Sequence, residues 1–256
     1  MILSAQERRK HILHLAAEHG DITIERLQPV FQVSEVTLRR DLDILESQGH
    51  IRRVRGGAVL NSSPQLEVRF QEKLERFVTE KREIARTAAS MVHEGQVAML
   101  SGGTTTMYIA RELTKKRDVT VVTPAINIAA ELAGYDNVTL IMIGGIVRKN
   151  SYVAAGHIAD ESLSGMNADF AFVGVDGVDA TAGFTTPNLV ESRTDATMLK
   201  SATNSVIVAD RSKLGVVAFS PIAKIDEPSM FLTDSGAPDD SLSALRLAGC
   251  NVLTSE

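Results

Sequence analysis

The chain has 256 residues, a hydrophobic fraction of 44% and a formal net charge of -5 at pH 7. This length allows one or two domains, and no apolar run approaches the roughly 20 residues that a membrane-spanning helix needs. The single cysteine, Cys250, excludes an intramolecular disulfide, and the first residues lack the apolar core of a signal peptide. We therefore expect a cytoplasmic protein.

The charge is unevenly distributed along the chain. Residues 1–60 contain nine Lys and Arg against eight Asp and Glu, so the acidic excess lies in the remainder. Five of these nine basic residues fall between Arg39 and Arg55. Binding to nucleic-acid phosphates requires a local basic surface. The charge distribution therefore permits nucleic-acid binding by the N-terminal segment without requiring it.

Helical periodicity and helix-ending residues predict three short helices in the N-terminal segment. Apolar residues recur at helical spacing from Ser4 to His19, and Gly20 ends that helix. The spacing of Ile24, Leu27 and Val30 predicts the second helix. Ser34 is a favourable N-cap for a third helix running to about Gln48. Its core-facing positions are Leu38, Leu42 and Leu45, and its mostly outward positions are Glu35, Thr37, Arg39, Arg40 and Asp43.

A small basic hairpin follows the third helix. Ile51 and Val54 are apolar positions among arginines, and Gly56-Gly57 forms the turn. Three short helices and a hairpin are typical of the winged helix-turn-helix, whose recognition helix enters the major groove of DNA. The alternative is a generic helical bundle with solvated arginines. We disfavour it because the Ser-capped helix and the arginine-rich turn would meet one DNA surface.

The same residues carry a family resemblance. The sequence VSEVTLRRDL at 33–42, then Leu45-Glu46 and RVRGGA at 53–58, resembles the DNA-binding signature of the DeoR family of bacterial sugar-metabolism regulators. The resemblance covers roughly residues 6–60. It implies that the third helix reads or anchors DNA, that wing arginines hold phosphate, and that Asp41 orients a neighbouring arginine. The expected DNA-binding residues are Ser34, Val36, Thr37, Arg39, Arg40, Arg52, Arg53 and Arg55.

A polar, proline-containing segment, NSSPQ at 61–65, predicts the domain boundary. We predict a winged helix-turn-helix at 1–60, a linker at 61–75 and an effector-binding domain at 76–256. From Glu67 to His93 a broken apolar stripe predicts a long helix. The stripe either packs on its own C-terminal domain or contacts a second copy of the chain, and the sequence does not decide between these.

After Gly95 short apolar runs alternate with stretches of helical pattern. Such alternation indicates a parallel sheet covered on both faces. The fold class is therefore α/β, with an N-terminal winged helix-turn-helix and a C-terminal doubly wound, mostly parallel sheet. The predicted strands are Val97–Leu100, Val119–Thr123, Val138–Ile143, Phe170–Val175, Ser205–Ala209 and Ser229–Thr233.

Polar loops follow the carboxyl ends of these strands, where open α/β sheets bind their ligands. The sequence SGGTTT at 101–106 offers backbone N–H groups, hydroxyls and a helix N-terminus to a phosphate monoester. Such a loop is as often only a tight turn, and it matches neither a P-loop nor the dinucleotide-binding pattern. Lys213, in a second strand-end loop, would supply an ammonium group to the same anion.

Residues 75–250 resemble the C-terminal domain of the DeoR family, which is similar in fold to ribose-5-phosphate isomerase and to aminosugar-phosphate deaminases. The resemblance implies a bound phosphorylated sugar or related metabolite. Two departures are Ser101, where the family usually has Asp, and the lack of Asn near Pro124. The expected effector-binding residues are Ser101, Gly102, Gly103, Thr104, Thr105, Thr123, Gly144, Gly145, Arg148, Asp176, Gly177, Asp210 and Lys213.

Together these features predict a transcription regulator, a repressor of a carbohydrate catabolic operon. It would bind double-stranded operator DNA as a homo-oligomer, a dimer or tetramer, and be released or modulated by a phosphorylated sugar. No cofactor, metal or catalytic residue is predicted.

Two other functions remain open. The first is a sugar-phosphate isomerase or deaminase, for which Asp176, Asp179 and Glu191 are candidate acids or bases by residue type only. The loop that contains Asp176 lacks the His and Glu that deaminases carry. The second is a metal-responsive regulator. It is disfavoured because no Cys or second His pair accompanies His11 and His14 to complete a tetrahedral site.

Overall fold

A computed structural model of the chain describes residues 5–19, 21–47, 51–54, 56–60 and 70–255. The chain divides into two compact units, residues 1–66 and 67–256. The wing residue Arg55 and the polar segment 61–65 lie outside the described residues, as do Gly20 and Gln48.

The first unit contains the expected three helices and hairpin. The helices are α1 (Ala5–His19), α2 (Ile24–Phe31) and α3 (Glu35–Ser47), and the strands are β1 (Asp21–Thr23), β2 (Ile51–Val54) and β3 (Gly57–Leu60). The strands form an antiparallel sheet in the order β1-β3-β2. Strand β1 was not predicted, because three residues are too few to show an alternating pattern.

Capping and burial explain the helices of the first unit. Thr23 Oγ1 accepts a hydrogen bond from Arg26 N at 3.3 Å, and Ser34 Oγ accepts one from Thr37 N at 3.2 Å. Each side chain satisfies a backbone donor that a helix N-terminus leaves without an intrahelical partner. The predicted core positions Leu38, Leu42 and Leu45 are buried, whereas Val30 is exposed.

The second unit is an α/β domain. Its helices are α4 (Phe70–Leu74), α5 (Val78–Met91), α6 (Thr104–Leu113), α7 (Ile126–Leu132), α8 (His157–Ser164), α9 (Leu189–Lys200) and α10 (Asp239–Leu247). Its strands are β4 (Val97–Leu100), β5 (Val119–Thr123), β6 (Val138–Met142), β7 (Ile146–Arg148), β8 (Val153–Ala155), β9 (Ala168–Gly174), β10 (Gly177–Asp179), β11 (Gly183–Thr186), β12 (Ala202–Val208), β13 (Ser220–Ala223), β14 (Met230–Thr233) and β15 (Val252–Thr254).

Seven of these strands form one parallel sheet in the order β15-β14-β12-β9-β4-β5-β6. All six predicted strands are confirmed in it, and β15 adds a seventh. From β4 the chain winds outward to β5 and β6, and from β9 it winds in the opposite direction. The carboxyl ends of β4 and β9 therefore flank the switch point of the sheet, where ligands of open α/β folds bind.

The long helix predicted from Glu67 to His93 is wrong in one respect, because it consists of two helices, α4 and α5. Phe77 separates them with a left-handed backbone (φ 51°), a conformation that interrupts a helix. Phe70, Ile84 and Ala88 of the apolar stripe are buried in the core of the second unit. These residues of the stripe therefore pack on their own domain.

Candidate functional site

The first unit presents an exposed surface on α3. Val36 is 76% exposed, and the side chains of Ser34, Arg39 and Arg40 are also exposed. Arg39 contacts Glu35 Oε1 through Nε at 2.9 Å and Nη2 at 2.5 Å. Within the described residues Arg40 has no ion-pair partner, so its guanidinium is available to a ligand.

Asp41, by contrast, is part of the core of the first unit. Its Oδ2 accepts a hydrogen bond from Arg8 Nε at 2.6 Å, and its Oδ1 contacts Arg9 Nη1 at 3.2 Å. The Asp41 side chain is only 4% exposed. The structure thus agrees with the expectation that Asp41 orients neighbouring arginines.

Arg53, in the β2–β3 hairpin that forms the wing, contacts several residues of α3. Its guanidinium pairs with Asp43 and donates to Arg39 O at 3.2 Å, while its backbone N–H donates to Glu46 Oε1 at 2.7 Å. Arg53 therefore positions the wing against α3, and its expected phosphate contact remains a prediction. The side chain of Arg52 lies outside the described residues, as does all of Arg55.

In the second unit a cleft opens at the switch point of the sheet. Its volume is about 450 Å³, counting the solvent-filled space at its mouth. Its wall combines residues from the loops after β4 and β9 with residues of α4 and α9. The lining residues are Phe70, Lys73, Gly102, Gly103, Thr104, Asn150, Ser151, Gly174, Asp176, Thr186, Glu191 and Asp195.

One wall of the cleft is the N-terminus of α6. Gly103 is the N-cap, with a backbone φ of 139° that favours glycine, and no side chain caps the helix. A Cβ atom at Gly102 would lie 2.0 Å from Val153 Cγ2, so the close packing of this loop requires glycine there. Helix N-termini present unpaired N–H groups and a partial positive charge, which favour an anion.

Two lysines form ion pairs with Asp176, which lines the cleft. Lys73 Nζ lies 2.5 Å from Asp176 Oδ1, and Lys213 Nζ lies 3.3 Å from the same atom. Burial by itself would raise the pKa of Asp176, but the two ammonium groups outweigh it and hold that pKa well below its usual range. Asp176 is therefore ionised, and it holds two cations near the N-terminus of α6.

The wall formed by α9 is acidic. Glu191 Oε1 contacts Arg148 Nη1 at 2.9 Å and also the hydroxyl of Ser151. Asp195, one helical turn later, is buried and lines the cleft. Burial first, and then the nearby carboxylates of Glu191, Asp176 and Asp160, raise the pKa of Asp195 well above its usual range. A buried carboxyl with a displaced pKa in a cleft marks a candidate functional site.

Of the predicted effector-binding residues, the structure brings Gly102, Gly103, Thr104 and Asp176 into the cleft wall. Lys213 and Arg148 are not among the lining residues, but they form ion pairs with Asp176 and Glu191, which are. The other seven do not line it: Ser101, Thr105, Thr123, Gly144, Gly145, Gly177 and Asp210.

Three of these seven form hydrogen bonds that stabilise the loops at the strand ends. Ser101 Oγ donates to Gly102 O at 3.1 Å and accepts from Gly174 N at 2.9 Å. Thr123 Oγ1 donates to Leu100 O at 2.7 Å. Asp210 Oδ1 accepts from Ser212 N at 3.1 Å. All three side chains are buried, and they form hydrogen bonds with protein atoms instead of facing a ligand.

Sequence reasoning missed several residues of the cleft wall. Phe70 and Lys73 lie in the segment predicted as a linker. Phe70 belongs to the apolar stripe, but no sequence signal places either residue in the cleft. The sequence indicates Glu191 only as a candidate acid or base by residue type, and Asp195 is not among the predicted site residues. An acid pair at positions i and i+4 of a helix would have indicated that both carboxyls share one face.

The candidate catalytic acids are all engaged. Asp176 and Glu191 hold cations, as described, and Asp179 Oδ1 accepts hydrogen bonds from Thr181 N and Ala182 N, both at 2.9 Å. Over the described ranges no three His, Cys, Asp or Glu side chains form a group suited to a metal ion. Nor does that part of the chain include a helix with the length and apolar character that crossing a bilayer demands.

Comparison with known proteins gives two family matches. Residues 8–64 match the DeoR-like helix-turn-helix domain, and residues 76–235 match the DeoR C terminal sensor domain. Together these two matches cover both units of the chain.

Individual relatives match over almost the whole length. A putative aga operon transcriptional repressor from Escherichia coli O157:H7 is 34% identical over 98% of this chain and 94% of the relative. The transcriptional regulator GlpR of Haloferax volcanii is 35% identical over 96% of both chains. The transcriptional repressor GlcR of Bacillus subtilis is 34% identical over 90% of this chain and 88% of the relative.

Among solved structures, ribose 5-phosphate isomerase A of Methanocaldococcus jannaschii superposes on 52% of this chain and 52% of its own. The TM-score is 0.38 and the sequence identity is 20%.

Proposed function

Because the chain belongs to the DeoR family and is a DNA-binding transcription regulator, we propose that it represses a carbohydrate catabolic operon in the cytoplasm. In this proposal α3 binds operator DNA, and a phosphorylated sugar in the cleft of the second unit releases or modulates that binding. Thermodynamic linkage makes the coupling reciprocal, so operator DNA and effector change each other's affinity by the same factor.

The observation that carries the effector proposal is the anion-binding wall of the cleft. The open N-terminus of α6 and the ammonium group of Lys73 line the same cleft, and Lys213 is held beside them by Asp176. Backbone N–H groups at a helix N-terminus and lysine ammonium groups together bind phosphate. The carboxyls on α9 supply the polar groups that a sugar needs.

A titration of the purified protein with sugar phosphates tests this site. We expect Lys73→Ala and Lys213→Ala each to weaken sugar-phosphate binding by about tenfold or more, since a hydrogen bond to a charged group contributes about 1.5–3 kcal/mol. Lys115→Ala is the matched control, because Lys115 is exposed and pairs with Glu112 on the surface. Equal affinities of the three variants and the unaltered chain by calorimetry would remove both lysines from the site.

A mobility-shift titration tests the DNA-binding surface. We expect Arg40→Ala to weaken operator binding by about 1–3 kcal/mol, as loss of an arginine contact with DNA does. Arg246→Ala serves as the control, since it removes the same charge from an exposed position in the second unit. If Arg40→Ala binds the operator as tightly as the control does, α3 is not the recognition helix.

We further propose that the protein acts as a homo-oligomer. Ile141 and Met142 of the edge strand β6 are exposed, as are Ile146 and Val147 of β7, and large apolar side chains exposed together mark interaction sites. Light scattering after size exclusion should give more than one chain per particle. An Ile146→Asp variant should shift that mass toward the monomer, and an unchanged mass would place the interface elsewhere.

We propose no catalytic activity. The three acids that the sequence offers for acid-base chemistry, Asp176, Asp179 and Glu191, are engaged with Lys73, Lys213, Arg148 or backbone N–H groups. Turnover of ribose 5-phosphate or glucosamine 6-phosphate by the purified protein would overturn this part of the proposal.

A further inference from the structure

We propose that the effector of this protein carries a primary ammonium group as well as a phosphate, and that Asp195 binds the ammonium group inside the cleft. The ligand class is therefore an amino sugar phosphate. This inference rests on the proposed function, because it assumes that the cleft of the second unit is the effector site.

The first step in the argument is the isolation of the Asp195 carboxyl. Asp195 is 8% exposed and lines the cleft. Among the described residues, no hydrogen-bond donor and no cation lies in contact with its carboxyl group. Buried carboxyls in proteins are nearly always hydrogen-bonded or paired, because burial of an unpaired charge is costly. An unpartnered carboxyl that faces a cleft is a group prepared for a ligand.

The second step is the charge balance around Asp195. Three other carboxyls lie near it, and each has a partner. Arg148 contacts Glu191, Lys73 and Lys213 contact Asp176, and the Thr194 hydroxyl donates to Asp160 at 2.6 Å. Asp195 therefore lacks the compensation that its neighbours have, and a single positive charge from a ligand would supply it.

The third step concerns protonation. Burial and the neighbouring acids raise the pKa of Asp195, which favours its protonated form while no cation faces it. A ligand ammonium favours the ionised form, because an opposite charge within about 4–6 Å lowers a carboxyl pKa. Binding then shifts Asp195 toward the carboxylate that faces the ammonium, and any proton released from the carboxyl passes to the buffer. A ligand with a hydroxyl in the same place supplies no such charge, so it does not favour ionisation of Asp195.

The fourth step is the arrangement of the cleft. Its wall at Gly103 and Thr104 and its cationic wall at Lys73 favour an anion, whereas its wall on α9 carries Asp195. A ligand with phosphate and ammonium groups at different positions matches this separation of charge. An uncharged sugar matches neither wall, and a neutral sugar phosphate matches only one.

Calorimetry on the full-length protein tests the inference with matched ligands. Glucosamine 6-phosphate and galactosamine 6-phosphate are each compared with the neutral sugar phosphate in which a hydroxyl replaces the amine. We expect the amino compound of at least one pair to bind about tenfold or more tightly, a difference of about 1.4 kcal/mol. Measurements in two buffers of different ionisation enthalpy should show more proton release for the amino compound than for its neutral counterpart.

The Asp195→Asn variant completes the test. Asparagine has nearly the shape of the protonated acid but cannot ionise, so the variant should keep its melting temperature. We expect it to lose both the preference for the amine and the additional proton release. Asp240→Asn, at an exposed position of α10, is the control and should retain both.

The outcomes separate this inference from the proposed function. If the unaltered protein binds neutral sugar phosphates as tightly as their amino counterparts, the ammonium inference is wrong and the proposed function stands. A preference that persists in Asp195→Asn also overturns the role of Asp195. If no sugar phosphate of either kind binds, both the inference and the proposed effector class fail.

Discussion

Replacement of Asp41 by alanine should impair DNA binding even though Asp41 does not face the DNA-binding surface. Its side chain is 4% exposed and pairs with Arg8, whose side chain is 9% exposed. Removing the carboxylate leaves the Arg8 guanidinium buried without a counter-ion. The breaking of a buried pair in this way costs about 3–5 kcal/mol.

This cost is large for the first unit. Single domains are stable by about 5–15 kcal/mol, and small ones lie toward the lower end because they bury a smaller fraction of their surface. Asp41→Ala should therefore leave a stability of a few kcal/mol or less. Asp43→Ala is the matched control, because the Asp43 side chain is 66% exposed and pairs with Arg53, and such pairs contribute about 0–1 kcal/mol.

Urea titration with two optical signals measures the effect in the full chain. The chain has no tryptophan, and its three tyrosines, Tyr108, Tyr135 and Tyr152, all lie in the second unit. Tyrosine fluorescence therefore follows that unit, whereas far-ultraviolet circular dichroism follows the helices of both. We expect Asp41→Ala to move only the circular-dichroism transition of the first unit to lower urea. If Asp41→Ala and Asp43→Ala destabilise the first unit equally, the buried ion pair does not stabilise it as argued.

Three further predictions concern stability and reactivity. Ser34→Ala removes the N-cap of α3 and should lower the stability of the first unit by about 1 kcal/mol, measured by the same urea titration, with Ser47→Ala outside the cap as the comparison. Burial lowers the pKa of Lys81 from 10.5 to about 8. Between these two pH values the folded state therefore binds fewer protons than the unfolded state, so stability rises with pH. Relative to Lys81→Met, the unaltered chain should gain about 3 kcal/mol of stability as pH increases from about 8 to about 10.5. A flat difference across that range contradicts the lowered pKa. Burial raises the pKa of the Cys250 thiol to about 11, so a thiol reagent should modify it only after denaturation, and fast labelling of the native protein would show that the thiol is accessible.

Much of the fold could be predicted from local sequence. Leu38, Leu42 and Leu45 recur at helical spacing after Ser34, and this pattern alone indicates a capped helix with one buried face. The six predicted strands of the main sheet are near-continuous apolar runs, as strands buried on both faces must be. Shorter elements such as β1 and β15 escaped prediction because three residues do not establish a period.

The position of a break in a helix also escaped prediction. Phe77 adopts a left-handed backbone between α4 and α5, although nothing in its residue type favours that conformation. The segment 70–74, which was predicted as part of a linker, forms α4 and buries Phe70 in the second unit. The formation of α4 depends on packing within the second unit, where Phe70 joins the core.

The sequence by itself determined the fold class, the capped helix α3 and the glycine-rich loop before α6, because each depends on neighbours within a few residues. Tertiary structure alone decided which side chains share the cleft. Lys73 and Asp176 are 103 positions apart in the chain yet form an ion pair, and Ser101 turned out to support the loop rather than face a ligand. The charge environment of Asp195 likewise depends on groups from distant segments. Electrostatic energies depend on distance and burial in three dimensions, and neither quantity can be obtained from residue spacing along the chain.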